Sequence, residues 1–213
     1  SFAGRSLLKY IISEVLDSRI LVVSRSDVEF KGIYGVDIGL EKRSDIEFVK
    51  AHLVQNNAEI IERLSSFEPN YVFDFMGQGM VAPSWDYPDV WYSTNLVAKA
   101  KVLSSLLGLK SLVRYVRCST PEVYGSSDRE LDESWSNNPS TPYALSHMAI
   151  DNHLKLLGDQ YNFPFVLARF SNFYGPRQQL YRVIPKMISA ILLEKKLGNQ
   201  SFLRVISLTK QIK

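Results

Sequence analysis

Two short segments of the sequence carry side chains that suit proton transfer. One is Ser119-Thr120-Pro121-Glu122-Val123-Tyr124-Gly125, directly after an apolar run that predicts a strand. In open α/β sheets ligands bind beyond the carboxyl ends of the strands, so this segment is placed to act on a substrate. The other puts Tyr143 and His147 four residues apart on a predicted helix, where both side chains face the same way. Phenol, imidazole and carboxyl groups all serve as general acids or bases.

The elements that must position these groups alternate between strand and helix. Short apolar runs predict the strands, and amphipathic periodicity predicts the helices. The alternation indicates βαβ units and therefore an α/β fold with a doubly wound parallel sheet. The irregular stretch at residues 121–142 is too long for a simple connection and is expected to line a site. Strands are predicted at residues 20–23, 71–75, 112–118 and 165–169, and helices at residues 5–17, 57–67 (capped by Asn57), 90–107, 143–161 and 183–196.

The composition excludes several classes of protein. Hydrophobic residues make up 46% of the 213 residues, too many for a disordered chain, yet no apolar run is long enough to span a bilayer. The net charge of +3 comes from scattered lysines and arginines, which argues against nucleic-acid binding. Cys118 is the one cysteine, so no intrachain disulfide can form and a reducing cytoplasm is expected. The start lacks Met and a signal-peptide pattern, and the sequence suggests no metal site.

Four motifs occur in order along roughly residues 1–190. Before the first helix stands Ser1-Phe2-Ala3-Gly4, and after a later strand Gln78-Gly79-Met80-Val81-Ala82-Pro83-Ser84-Trp85. Residues 119–125 are the third motif. The fourth joins Tyr143 and His147 to Arg169-Phe170-Ser171-Asn172-Phe173-Tyr174-Gly175-Pro176. Together they resemble the NAD(P)-dependent nucleotide-sugar epimerases and dehydratases of the extended short-chain dehydrogenase/reductase type, above all those that act on dTDP-glucose. The resemblance implies a Rossmann-like fold.

The resemblance also implies a dinucleotide cofactor, NAD or NADP. The opening four residues look like the tail of the family's glycine-rich turn, whose backbone N–H groups approach the pyrophosphate at a helix N-terminus. NAD enzymes usually end the second strand with an acidic residue, but Arg25 stands here and could accommodate the 2′-phosphate of NADP. The implied cofactor contacts are Phe2, Ala3, Gly4, Arg25, Asp37 (after the next strand, at the adenine), Ile38, Phe75, Met76, Gly77, Asn95, Cys118, Ser119, Tyr143, His147 and Phe170.

A nucleotide-sugar substrate and oxidation at its C4 follow from the same resemblance. In the family a tyrosinate, here Tyr143, takes the hydroxyl proton while hydride leaves C4 for the nicotinamide. Thr120 would hydrogen-bond the 4-hydroxyl, and Glu122 would remove the proton at C5 once C4 is a ketone. His147 completes the catalytic set. The implied substrate contacts are Gln78, Met80, Val81, Ser84, Thr120 and Asn172.

Two positions depart from the family pattern. His147 stands where the family has a lysine that stabilises the tyrosinate, and an imidazole, with its pKa of about 6.5, is mostly uncharged at neutral pH. Either turnover is much reduced, or His147 packs in the cofactor cleft as a neutral donor. Pro121 stands where many dehydratases carry the acid that expels the 6-hydroxyl. We therefore expect a 4,6-dehydratase-like activity first, with a C4 epimerase, a uronate decarboxylase and a non-catalytic nucleotide-binding remnant as alternatives.

The resemblance implies that the chain is incomplete. The family's first strand lies at the centre of a 3-2-1-4-5-6 sheet and would precede Ser1, so its two neighbours would each lose a pairing partner. Residues 1–180 are predicted to be a partial cofactor-binding domain, and residues 181–213 the start of the substrate-binding lobe with an atypical tail. The DNA upstream of Ser1 would distinguish an enzyme fragment from a remnant. A homodimer through the helices at 90–107 and 143–161 is implied, without nucleic-acid or membrane partners.

Overall fold

The computed structural model describes residues 1–15, 17–26, 45–176 and 178–197. Contacts divide the chain into two compact units, one of Ser1 with Ala3–Asn172 and one of Phe2 with Phe173–Lys213. The domain boundary expected at residue 180 stays a prediction. Among the described residues, no helix is both long and apolar enough to cross a bilayer.

The described elements alternate as the sequence predicts. The strands are β1 (Ile20–Ser24), β2 (Ile46–Lys50), β3 (Tyr71–Asp74), β4 (Arg114–Ser119) and β5 (Phe165–Arg169). The helices are α1 (Phe2–Glu14), α2 (Asn57–Phe67), α3 (Pro83–Asp86), α4 (Pro88–Tyr92), α5 (Lys99–Leu106), α6 (Pro142–Tyr161) and α7 (Val183–Leu197). A π-helical segment, Ser93–Ala98, joins α4 to α5, and a 3-10 turn, Pro121–Tyr124, follows β4.

All the strand pairs are parallel, but they form two sheets. β1 pairs with β2 in one sheet, and the other has the order β3-β4-β5. Within the described ranges no strand is hydrogen-bonded between β1 and β3. The predicted α/β fold class is confirmed, because parallel strands alternate with helices along the described residues, as in a Rossmann-like fold.

The core lies where α2, α5 and α6 pack against the strands. Each helix presents one apolar stripe, as expected for surface helices of an α/β protein. Many of the fully buried side chains are aliphatic, and burying each of these stabilises the fold by about 1.5–3 kcal/mol. They include Ile60 from α2, Leu103 and Leu106 from α5, and Ile150 and Leu154 from α6.

The strand β2 was not predicted from the sequence. Its polar residues Glu47 and Lys50 interrupt the apolar run that marks the other strands, yet it pairs along its full length with β1. Asp37 and Ile38, expected to follow the strand next to β1, lie outside the described residues. The strand that does pair with β1 is β2, which comes later in the chain than Asp37 and Ile38. His52 and Leu53 follow its carboxyl end.

Two helix predictions were wrong in detail. Asn57 is not the cap of α2, because Asn56 occupies that position and the Asn57 amide donates instead to the carbonyls of Leu53 and Ala98, at 2.9 and 3.0 Å. The helix predicted over residues 90–107 is interrupted by the π-helical segment. A π turn inserts an extra residue and shifts the side chains that follow it around the axis. Asn95 within the segment and Lys99 directly after it are both buried.

We predict that Gly158→Ala destabilises the protein although alanine favours helix. A Cβ at Gly158 on α6 would lie 2.6 Å from the Phe165 ring of β5, so the helix would have to move off the sheet. The expected loss in the free energy of unfolding, measured by urea denaturation, is about 1–3 kcal/mol. Gly108→Ala is the control, because nothing lies within 4 Å of its added Cβ. Equal effects of the two changes would contradict the close packing of α6 on β5.

Candidate active site

The polar segments named by the sequence meet at the carboxyl ends of β3 and β4. Thr120 follows β4, is buried, and its Oγ1 accepts from the Glu122 N–H at 3.3 Å, which starts the 3-10 turn. The Thr120 side chain also lies close enough to the phenol of Tyr143 on α6 to lower the pKa of that phenol. The bond from Glu122 uses an acceptor site of the Thr120 oxygen, so the hydroxyl proton remains available to donate to another group. The structure therefore brings Thr120, Glu122 and Tyr143 together.

The first turn of α6 is held in place by the segment around Ser84. The fully buried Ser84 hydroxyl donates to the Val81 carbonyl at 2.6 Å and accepts from the Tyr143 N–H at 3.2 Å. Thr141 caps the helix by accepting from the Ala144 N–H, and Pro142 occupies the first helical position, where a missing N–H costs nothing. Ser84 thus fixes the backbone that carries Tyr143.

Asn95 ties three segments together from the π-helical segment. Its Oδ1 accepts from the Gln78 N–H at 2.7 Å, and its Nδ2 donates to the Gln78 carbonyl and to the Ser146 hydroxyl, both at 3.0 Å. The Asn95 side-chain amide is fully buried, and both its oxygen and its nitrogen are hydrogen-bonded. The resemblance implies that Gln78 and Asn95 contact the substrate and the cofactor. In this structure Asn95 is hydrogen-bonded to the backbone of Gln78 and to Ser146 of α6.

The phenol of Tyr143 is in a setting that favours its neutral form. Burial raises its pKa, the hydrogen bond from Thr120 lowers it, and the Glu122 carboxylate raises it again, for a net increase. Burial likewise raises the pKa of Glu122, whose side chain remains largely at the surface. The His147 ring lies beside the phenol, with 4.6 Å between ring centroids.

His147 is buried and uncharged. Arg117 Nη2 lies 3.0 Å from its Nδ1, and a guanidinium can only donate, so Nδ1 is the acceptor. Burial, then the positive charges of Arg117 and Lys99, hold the pKa of His147 well below its usual value, while Asp74 opposes them. The expectation that neutral imidazole stands at this position is thus supported by the charges around it.

Beneath these residues lies a buried ionic network that the sequence analysis did not identify. Arg117 is fully buried, and its Nη1 and Nε contact Asp74 at 3.2 Å and Asp151 at 3.0 Å. Lys99 donates to Asp74 and to the Met76 carbonyl. Burial alone would raise the pKa of Asp74, but Lys99 and Arg117 hold it below its usual value. The network links β3, β4, α5 and α6.

Two signals in the sequence could have revealed this network. Tyr115, Arg117 and Ser119 alternate along β4 and share its buried face, so a charge at the middle position needs a partner. Asp151 lies four residues after His147 and eight after Tyr143, which places all three along one side of α6. Ser119 also joins the network, by donating to Asp151 at 2.5 Å.

The remaining predicted residues lie around this centre or apart from it. Ser1 caps α1 by accepting from the Gly4 N–H at 3.0 Å, and a Cβ at Gly4 would lie 3.5 Å from Phe75, so α1 begins against the end of β3. Met76, Gly77 and Cys118 follow or end strands of the same sheet.

Phe2 belongs to the second unit. The side chains that are exposed are Arg25, Met80, Phe170 and Asn172, and those partly buried include Ala3 and Val81.

The parallel strands alternating with helices, with polar side chains at the carboxyl ends of β3 and β4, define an α/β protein of the Rossmann-like type. The chain belongs to the NAD dependent epimerase/dehydratase family, which residues 1–207 match. Human dTDP-D-glucose 4,6-dehydratase is 44% identical over 84 residues, which are 39% of this chain and 24% of the human protein.

Solved structures share the fold. A dTDP-glucose 4,6-dehydratase from Streptomyces venezuelae with NAD bound has a TM-score of 0.72 and 22% identity, over 89% of this chain and 57% of that one. A UDP-N-acetylglucosamine 4-epimerase from Methanobrevibacter ruminantium has a TM-score of 0.76 and 24% identity, over 89% of this chain and 59% of that one. The matched region thus spans little more than half the length of either structure.

We predict that Lys99 makes stability rise with pH in the mildly alkaline range. Burial lowers the pKa of Lys99 to about 8, whereas in the unfolded chain it lies near 10.4. Between these values the unfolded chain binds a proton that the folded protein does not. The contribution of Lys99 to the free energy of unfolding should therefore increase by about 2 kcal/mol from pH 7.5 to 9.5. Urea denaturation of wild type and Lys99→Met at both pH values measures the increase, which the variant should lack.

Lys101→Met is the matched control, because Lys101 is exposed on the same helix. It should keep the wild-type dependence on pH. A Lys99→Met protein whose stability rises with pH as much as that of wild type would show that another group titrates.

Proposed function

We propose that this chain is the cofactor-binding part of an NAD(P)-dependent enzyme that modifies nucleotide-linked sugars through oxidation at sugar C4, in the manner of a 4,6-dehydratase. The observation that carries the proposal is the proximity of Thr120 and Glu122, which share one turn, to the phenol of Tyr143. Phenol, hydroxyl and carboxyl converge at the carboxyl edge of a parallel sheet, where α/β proteins bind ligands. Membership of the family and the dehydratase relatives support the same assignment.

The residues present fit a dinucleotide. Gly4 lies in the first turn of α1 against Phe75, so backbone N–H groups and the positive end of the helix dipole face the edge where β3 ends. The groups that would hold the cofactor are the first turn of α1, residues 75–77 after β3, Cys118 and Ser119 at the end of β4, and Tyr143 with His147. When bound, the nicotinamide accepts the hydride from the sugar. Arg25, exposed after β1, makes NADP the alternative to NAD.

Tyr143 would take the proton of the 4-hydroxyl, and Thr120 would stabilise the resulting phenolate by donating to it. Burial and Glu122 raise the pKa of Tyr143, so this base is weak unless a further positive charge approaches. No such charge can come from the neutral His147. Turnover should therefore be slow compared with an enzyme that has a cation at that position. Glu122, whose pKa is raised by burial, would act as the base at C5.

Two alternatives keep specific support. Pro121 cannot donate a proton to a leaving hydroxyl, and an epimerase shares the fold, so a C4 epimerase or a uronate decarboxylase remains a candidate among enzymes. The uncharged His147 favours a second class, a nucleotide-binding protein without turnover. Calorimetric titration with NAD⁺, NADP⁺ and several nucleotide sugars, followed by product analysis, distinguishes them. Saturable binding with a 4-keto-6-deoxy product supports the dehydratase, and saturable binding without any product supports the remnant.

We predict that Tyr143→Phe lowers turnover at least about 100-fold and leaves dinucleotide affinity within about threefold, because only the proton-accepting oxygen is removed. Tyr161→Phe is the matched control, since Tyr161 is exposed at the far end of the same helix. Calorimetry reports the affinity, and chromatography of the products reports turnover. If both variants turn over like wild type, the assignment of Tyr143 as the base is wrong.

We also propose that two copies of the chain associate through the helices around residues 88–106 and α6. Apolar side chains on these helices are exposed, namely Val90, Val97, Leu145 and Leu156. Covering them would remove apolar surface from water, which drives association. We predict that light scattering after size exclusion gives about twice the 24.3 kDa of one chain. A mass of one chain at micromolar concentration would contradict this proposal.

A further inference from the structure

Arg117 and His147 form a buried pair whose geometry fixes the protonation of the imidazole. Arg117 Nη2 lies 3.0 Å from His147 Nδ1, and both side chains are buried. A guanidinium carries five N–H donors, has no acceptor and stays charged at every accessible pH. Nδ1 must therefore offer its lone pair, and the single ring proton of the neutral imidazole must sit on Nε2.

The guanidinium cannot turn away from the ring. Its Nη1 contacts Asp74 Oδ2 on the end of β3 at 3.2 Å, and its Nε contacts Asp151 Oδ1 on α6 at 3.0 Å. Three donors are thus spread over three partners on two elements. Losing any one of them would leave a buried polar atom unpaired, which is costly. The orientation of Arg117, and with it the orientation of the His147 ring, is set by two carboxylates outside the pair.

The charges that face His147 come from every neighbouring element. Arg117 on β4 and Lys99 on α5 are positive, Asp74 on β3 is negative, and Tyr143 on the same helix is neutral. The two cations outweigh the carboxylate at the ring. Any further positive charge at position 147 would be a buried like charge facing Arg117, a costly arrangement.

We propose that Arg117 is a positioning residue of the candidate site: it locks His147 as a neutral imidazole with its proton on Nε2, and it excludes a cation from position 147. A role of this pair in catalysis rests on the proposed function. If that function holds, the fixed Nε2–H of His147 is a hydrogen-bond donor beside Tyr143. The lock itself follows from contacts within the chain. His147 can give a hydrogen bond to a ligand, and it does not supply a positive charge.

The tautomer is read directly by nitrogen NMR of protein with ¹⁵N-labelled histidine, without cofactor or substrate. The chain has three histidines, and His147→Asn identifies the signal by removing it, while the Asn amide oxygen can still accept from Arg117. At pH 7 and at pH 5.5 we expect the His147 ring to show a bare Nδ1 and a protonated Nε2. A proton on Nδ1, or an imidazolium at pH 7, would overturn the proposal.

The exclusion of a cation is tested by His147→Lys. We expect it to lower the equilibrium constant for folding by at least about tenfold, and His147→Asn to lower it less than about threefold. With Arg117→Gln as a background, the same His147→Lys change should cost less than about threefold, because the opposing charge is gone. A His147→Lys protein as stable as wild type would overturn the proposal. If Arg117→Gln fails to fold, the single variants and the NMR signal still decide.

These measurements separate the inference from the proposed function. All of them are made on the chain alone, so a chain that binds no dinucleotide can still show the locked tautomer. Conversely, saturable cofactor binding by a chain whose His147 carries its proton on Nδ1 would leave the proposed function standing and remove the role of Arg117.

Discussion

The guanidinium of Arg117 is the contact on which the rest of the site depends. It stands on β4, binds Asp74 at the end of β3, and binds Asp151 and His147 on α6. One side chain thus joins two strands of the sheet to the helix that carries Tyr143. Burying such a charge is costly, and the cost is offset only when every donor has a partner. The mutual placement of strand ends and helix is therefore set by polar contacts rather than by the apolar core alone.

Around that contact, side chains that look like ligand-binding groups have a structural role. Ser84 holds the backbone of Tyr143, and Asn95 holds both Gln78 and Ser146. These buried or partly buried bonds join segments that are distant in the sequence, so they limit how the site can rearrange. A ligand entering at this edge meets a preformed surface, which reduces the entropy lost on binding.

The sequence predicted the strand–helix alternation, because periodicity is a local property, whereas the convergence of Thr120 and Tyr143 was expected from the resemblance to the family. It missed β2, since two polar residues mask its apolar alternation, and it missed the π-helical segment, because no local signal marks an extra residue in a helix. The ionic network was also missed. Arg117 and Lys99 look like surface charges until the fold places Asp74 and Asp151 beside them, and that placement depends on strand order and helix packing.

The separation of the strands into two hydrogen-bonded groups affects which backbone amides become exposed together by local unfolding. β1 and β2 pair with each other, while β3, β4 and β5 form the larger group that carries the buried ions. Among the described strands, no backbone hydrogen bonds connect the pair of β1 and β2 to the sheet of β3, β4 and β5. The backbone hydrogen bonds of one group can therefore break without those of the other. Amide protons of β4, flanked on both sides, should exchange only through global unfolding, whereas those of β1 and β2 should exchange through a smaller, cheaper fluctuation.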